Sequence, residues 1–392
     1  MDWAASAPVL PSAAEAACYI TNELFGNPSS IHQEGRTAKE RLESARSLLA
    51  DCLGAEKGEI YFTSSATEAN QLVLASILAK FLSSPRQGKR PQIIISEIEH
   101  ASLWEGAMAL KRYGFEILTL RPKADGIIDP ETLAKLLSED TTLVALMLVN
   151  NETGAIQPVA DFAQLIKKWS QKSSRRIHFH CDAAQAFGKL YFSFSQLGVD
   201  SLAVSAHKLG GLRGAGALVL KKQSHLLPLF PGGGQEANLR SGTENLAAIV
   251  AFSEAACLRI KNLESSLVRV RYLMQELISN LTKITDVHLV PEERAKAKLD
   301  LFSPYILTIT APPIPGEVLL RHLDEAGIAV STGSACRTYK DQKNRVLEAM
   351  GLNPLTTRSA IRLSIGPETT KEEIDIFLEV IGELLPYLKK IS

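Results

Sequence analysis

From about residue 58 to residue 221 the chain alternates short apolar runs with longer amphipathic stretches, and this alternation restricts its fold more than any other feature. Buried strands separated by helices make βα units, and successive units of that kind build a mostly parallel sheet. The pattern predicts strands over 59–63, 92–96, 115–120, 143–149, 177–182, 202–205 and 215–220. Helices are expected over 68–82, after 96 through 112, and over 130–137, with a turn at Asp125-Gly126. Beyond Gly232-Gly233-Gly234 the alternation stops, and a helical pattern between Thr243 and Leu281 reads as a connector between domains. Strands over 306–310, 328–331 and 360–365 and helices over 317–326 and 371–388 then suggest a smaller α+β domain, with the charged stretch 291–304 as an exposed loop. A length of 392 residues exceeds what one core fills, so two domains are expected: a large one over 13–250, and a small one made of 1–12 and 251–392.

The 43 basic residues balance 43 acidic ones, which argues against a nucleic-acid or membrane partner held by net charge. The first Lys or Arg is Arg36, so the start of the chain lacks a basic leader, and no apolar run approaches the ~20 residues of a membrane span. A cytoplasmic location is the expectation. Five scattered cysteines with no C-x-x-C pair favour neither a disulfide framework nor a zinc site, and no metal is expected.

Ligands of open parallel sheets bind beyond the carboxyl ends of the strands. Five predicted loops bring polar residues to that edge: Thr67 after the first strand, His100 after the second, Asn151 after the strand ending at 149, Asp182 at its own strand end, and Ser205, His207 and Lys208 together. A carboxylate such as Asp182 can keep a pyridine nitrogen protonated, and a lysine such as Lys208 can form a Schiff base. Glycines at 210, 211, 214 and 216 let backbone approach a planar ring. The set therefore reads as a site for pyridoxal 5'-phosphate (PLP). Ser65 and Glu68 have capping-box spacing, which serves either a plain helix start or one whose free amides meet a phosphate. Neither a P-loop nor a well-placed G-x-G-x-x-G is present. His100 is either a structural histidine or a ring that stacks on the cofactor and passes protons. Cys336 ends the small-residue run Ser331-Thr332-Gly333-Ser334-Ala335 and precedes Arg337 and Lys340. That composition predicts an exposed, mobile loop, with Cys336 either a reactive thiol or an inconsequential surface one, whereas Cys18, Cys52 and Cys257 sit in apolar contexts.

In these residues the chain resembles the PLP-dependent cysteine desulfurases of the NifS/IscS type, in the class-V aminotransferase group. The likeness runs through Asp2-Trp3-Ala4-Ala5-Ser6, Phe25 to Ser30, Thr63 to Asn70, Glu99-His100, Val149 to Gly154, His180 to Gln185, Ser205 to Lys208, Gly232 to Gln235, Arg240 to Thr243, Gly333 to Cys336 and Ile361 to Ser364. It implies the α/β PLP-dependent transferase fold, the aminotransferase type I fold, with a mostly parallel seven-stranded sheet. It further implies that Lys208 binds the cofactor covalently, that Asp182 pairs with its ring nitrogen, that Gln185 and Asn151 contact the ring oxygen and its surroundings, and that His100 stacks on the ring. The Ala66 backbone, Thr67, Ser205 and His207 would hold the phosphate, with Thr243 supplied by the other subunit of a homodimer. Arg362 would grip the substrate carboxylate with Asn27 also at the substrate, and Cys336 would take sulfur from L-cysteine, leaving L-alanine. The sulfur would pass to an acceptor such as an iron–sulfur scaffold protein. A selenocysteine lyase or an aminotransferase on the same scaffold, or a non-catalytic regulatory relative, are the alternatives. Trp3, Leu212 and Glu236-Ala237-Asn238 depart from the usual family pattern.

Overall fold

Strands such as Ile93-Ile94-Ile95, fully buried on both faces, need helices above and below them, and the chain supplies both layers. The computed structural model describes residues 1–83, 90–228, 230–296, 299–333 and 344–391. Seven strands form the large sheet: β1 (Ile60–Thr63), β2 (Gln92–Ser96), β3 (Glu116–Leu120), β4 (Thr141–Ala145), β5 (His178–Asp182), β6 (Ser201–Ser205) and β7 (Gly216–Leu220). Their order is β1-β7-β6-β5-β4-β2-β3. The pairs from β3 to β6 are parallel, and β7 runs antiparallel to both of its neighbours. The seven strands lie within a residue or two of their expected positions, except that β4 ends at Ala145 rather than at 149. Beyond it only single bonds continue, from the Leu146 N–H to His180 O and the Leu148 N–H to Asp182 O, because β5 itself ends there.

Two helices precede the sheet, Pro11–Glu23 and Gln33–Leu53. Pro11 opens the first, the His32 side chain caps the second, and Leu42, Ala45, Leu49 and Leu53 give the second its buried stripe. The expected connector divides at Asn262 into the helices Leu246–Lys261 and Leu263–Leu281. The first of these packs against both N-terminal helices and runs across position 250, where the sequence reading divides the chain. Cys52 and Cys257 meet in this helical layer with their sulfurs 3.6 Å apart.

A second, antiparallel sheet has the order β10 (Ala360–Ser364), β9 (Ile306–Thr310), β8 (His288–Val290). The strand expected over 328–331 does not form. The free edge of β10 is shared by two short segments, with Asp2 bridging Ser364 and Ser331 bridging Arg362, so neither extends into a ladder. Of the described residues in 291–304, Glu292, Ala295, Lys296, Asp300 and Leu301 are exposed as expected, whereas Pro291, Arg294, Phe302, Ser303 and Pro304 are buried. Arg294 is buried there, donates to Ser303 O at 3.1 Å and Ile306 O at 2.7 Å, and stacks on Phe302. Among the described charges of the stretch, Arg294 alone is an internal tie between sheet and loop.

The Gly-rich segment after β7 is anchored from within. Glu236 accepts both ends of the Arg46 guanidinium at 2.7 and 2.8 Å and the Phe62 N–H at 2.7 Å. Glu236, Ala237 and Asn238 all have left-handed backbone, at φ 46°, 52° and 64°, a conformation that non-glycine residues keep only when surrounding contacts hold it. No helix among the described residues is long and apolar enough to cross a membrane.

Candidate active site

The carboxyl ends of β1, β2, β5 and β6 and the turn after β4 open onto one cavity of about 380 Å³, closed on its far side by Arg362 of β10. From the large sheet it is lined by Ala66, Thr67, His100, Asn151, Asp182, Gln185, Ser205, His207 and Lys208. Sequence reasoning thus assembles ten residues that the fold brings together. Thr243 and Asn27 are exposed and lie outside this cavity, and Cys336 lies outside the described residues.

Asp182 ends β5 and is nearly buried, where it accepts the Ala184 N–H at 2.9 Å and the Asn70 Nδ2–H at 2.8 Å. Asn70 is the member of the site that sequence reasoning missed. It sits inside the helix Ala66–Ser83, fully buried, and the same Nδ2 also reaches Ser102 Oγ at 2.8 Å. Its one available signal is a polar residue on the apolar face of a helix four positions from Ala66. His180 matches the way Asn70 points, with Nε2 and Oδ1 2.8 Å apart.

His100 caps the helix Ala101–Leu110, and its Nδ1 accepts the Ser102 N–H at 3.2 Å. That bond leaves the ring proton on Nε2. Burial, opposed by Asp182 and reinforced by Lys208, holds His100 below the ordinary histidine range and therefore neutral near pH 7. Beside it, burial raises the Glu99 carboxyl to about 7, although the Ser96 hydroxyl and the Met147 N–H donate to it.

Lys208 leaves β6 on a short 3-10 turn, and its Nζ donates to Ala4 O at 2.7 Å and Ala5 O at 2.8 Å. The N-terminal segment is thus part of the site. Gln185 donates to the same Ala4 O at 2.9 Å and accepts from Lys189, whose amine burial and Lys208 push down to about 7. Asn150 wraps its Oδ1 around the N–H groups of Glu152 and Thr153, and that turn presents the Asn151 carbonyl to Arg362 at 2.9 Å.

The phosphate end fits the group as well. Ser65 caps the helix at Glu68 N at 3.2 Å, while the Glu68 carboxylate reaches back to the Ser64 N–H, one residue before the expected partner. Ser205 Oγ is buried with no partner among the described residues, a donor awaiting an acceptor. Gly216 of β7 lets the Ser65 turn approach, since a Cβ there would come 2.6 Å from Ser65 C. His207, pushed down to about 4 by burial and then by Lys208, adds a neutral ring on the same side. A buried carboxylate, a lysine amine and an unfilled hydroxyl at a helix start are the donor set a pyridoxal phosphate needs.

Among the described thiols, burial raises Cys52, Cys181 and Cys257 away from thiolate character. Cys18 is exposed, contrary to its expected apolar context, and lies on the first helix.

The comparisons with known proteins fall on this geometry. The aminotransferase class-V family model matches residues 1–377. The chain belongs to that family. A cysteine desulfurase IscS of Dictyoglomus turgidum is 36% identical, the match covering all of this chain and 95% of the relative. The solved structure of a NifS-like protein superposes with a TM-score of 0.89 at 34% identity, covering 98% of each chain. A structure described as SspA in complex with cysteine gives a TM-score of 0.79 at 30% identity, covering 94% of this chain and 99% of that one. Members of the family are PLP-dependent, and the α/β fold with its smaller sheet is theirs.

Two histidines beneath the site set an acid limit. Burial pushes His178 to about 4 and His180 to about 3. Unfolded histidines titrate near 6.5, so from pH 6.5 down to about 4 the unfolded chain binds protons that the folded one refuses, and stability falls as the pH falls. Glu99, raised to about 7, works in the opposite sense between pH 7 and 4.5, but one carboxyl does not offset two histidines. Urea midpoints measured across this range should drop steeply below pH 6, and a flat profile would refute the buried neutral pair.

Proposed function

We propose that the cavity binds L-cysteine and that Cys336 takes its sulfur, leaving L-alanine. The protein is a PLP-dependent enzyme, a cysteine desulfurase. The observation that carries the substrate reading is Arg362. Two of its nitrogens are held by Asn151 and Asp2, while its Nε is buried, on the cavity wall, without a partner among the described residues. An unfilled guanidinium donor opposite a lysine amine and a pyridine-type carboxylate suits an α-amino acid.

When bound, PLP supplies the sink for the electrons left on the substrate's α-carbon. Asp182 keeps the ring nitrogen protonated, and the Asn70 and Ala184 donors hold its carboxylate in place. Lys208 would hold the cofactor, and its Nζ would take the α-proton of the substrate. His100, neutral with its proton on Nε2, would stand against the cofactor and could relay a proton. Ala66, Thr67, Ser205 and His207 hold the phosphate end. The Cys336 thiolate attacks the substrate sulfur: the new S–S bond forms as the C–S bond breaks, and the pair released to Cβ is finally protonated. Cysteine and one thiol thereby become alanine and one persulfide, with no outside oxidant.

The protein is read as a cytoplasmic homodimer. Phe25, Ile31 and Phe230 are large apolar side chains left exposed, and Pro28 and Ser29 lie beside Gly233 to Ala237 and Glu244, next to Thr243, which would reach a partner's phosphate site. Asn27, exposed one residue before Pro28, would come to the substrate from the same subunit edge. Four free thiols among the described residues accord with a reducing compartment. An acceptor protein, such as an iron–sulfur scaffold, then collects the sulfur from Cys336. Mass spectrometry after brief treatment of the holoenzyme with L-cysteine should find one added sulfur on the Cys336 peptide. A keto acid with no sulfur adduct would instead point to an aminotransferase.

A further inference from the structure

Asp2 stands at Arg362 in the position of an anionic ligand. Its Oδ1 accepts from Nη2 at 2.8 Å, with the Arg362 side chain 8% exposed and that of Asp2 25% exposed. The carboxylate is not a loose end. Asp2 bridges Ser364 on the free edge of β10, the Trp3 N–H bonds to Ser364 O, the Ala4 N–H bonds to Ser364 Oγ, and Gly366 packs under the Trp3 ring, where a Cβ would come 2.2 Å from it. Asp2 also lines the cavity. A carboxylate bound at Nε would therefore share its guanidinium with a fixed anion a few ångströms away.

Two effects compete in that arrangement. The bond from Asp2 orients the fork, which favours ligand binding, while its charge opposes a second carboxylate on the same cation. We propose that Asp2 is the counter-charge that sets how tightly Arg362 grips the α-carboxylate of substrate and product. The inference rests on Arg362 being the carboxylate site. L-Cysteine and L-alanine carry the same carboxylate, so an unopposed guanidinium would bind both more tightly without favouring the reaction between them. Asp2 lowers that shared grip and lets alanine leave.

Asp2→Asn separates the two effects, because the amide oxygen still accepts from Nη2 while the charge is gone. Holoenzyme is titrated with L-alanine and with L-alaninamide, which lacks the carboxylate, and binding is followed by the cofactor's visible band. The variant should bind L-alanine roughly tenfold more tightly, as expected for removing a nearby like charge in partly screened surroundings, and L-alaninamide as the parent does. The KM for L-cysteine should fall in step. Asp2→Ser, which removes the same charge with less to orient the fork, should shift L-alanine in the same direction by less. Unchanged or weaker L-alanine binding in Asp2→Asn, or an equal shift for both ligands, overturns the role of Asp2. Arg362→Gln tells the two levels apart. If it weakens L-alanine while Asp2→Asn does nothing, only the role of Asp2 fails. If it leaves L-alanine binding untouched, the carboxylate site itself is wrong and the inference falls with it.

Discussion

Replacing Cys336 with alanine is expected to stop sulfur transfer while leaving the earlier proton chemistry in place. The groups proposed to hold the cofactor and take the α-proton stand at the carboxyl edge of the large sheet, with Lys208 Nζ held by Ala4 O and Ala5 O of the N-terminal segment. No described thiol is placed to substitute: Cys181, Cys52 and Cys257 are held as thiols by burial, and Cys18 is on the first helix. Alanine formation from L-cysteine should fall by about three orders of magnitude or more, the usual scale for losing a covalent nucleophile. Exchange of the α-hydrogen of L-alanine in deuterated water should stay within roughly threefold of the parent, since that step asks only for Lys208 and the electron sink. Sulfur release at the parent rate would remove Cys336 from the mechanism. Loss of both activities together would instead mean that the substitution disturbs the site as a whole.

The strands were legible because each is a short apolar run with turn residues on both sides, and the site residues were legible because the carboxyl edge of such a sheet is where ligands sit. Asp182, Ser205 and Lys208 follow from that rule alone. The misreadings have local causes. The run at 328–331 has the composition of a strand, but composition does not reveal that Asp2 and Ser331 divide one edge of β10. The charges of 291–304 suggested solvent, yet Arg294 lies inside the protein, with its two Nη groups donating to two carbonyls and its guanidinium over an aromatic face. Asn70 was missed because a helix interior carries no strand-end signal, and its only mark is a polar residue on an apolar helix face. The roles of Ala4 and Ala5 were invisible because backbone carbonyls have no residue identity to read. Thr243 and Asn27 enter only through the family resemblance, and they lie outside the cavity that one chain forms.

Asp182→Asn should lower turnover by about 10²- to 10⁴-fold, the equivalent of the 3–5 kcal/mol lost when one partner of a buried charged pair is removed. The direct reason is the ring nitrogen: an amide cannot keep it protonated, and an unprotonated pyridine accepts electrons poorly. The hydrogen bonds make the change worse. The Asp182 carboxylate makes Asn70 Nδ2 the donor, and a neutral His180 matches that arrangement, with Nε2 2.8 Å from Asn70 Oδ1 and Nδ1 2.8 Å from Ser201 Oγ. In this arrangement Nδ2 donates toward position 182, as does the Ala184 N–H. A carboxylate accepts both and still has lone pairs for the ring, whereas an asparagine offers one oxygen and sets its own NH2 against one of the donors. The variant should therefore hold PLP more weakly, and the pH at which its visible band titrates should shift from the parent's. Turnover within tenfold of the parent, with the band unmoved, would mean that the ring nitrogen does not face Asp182.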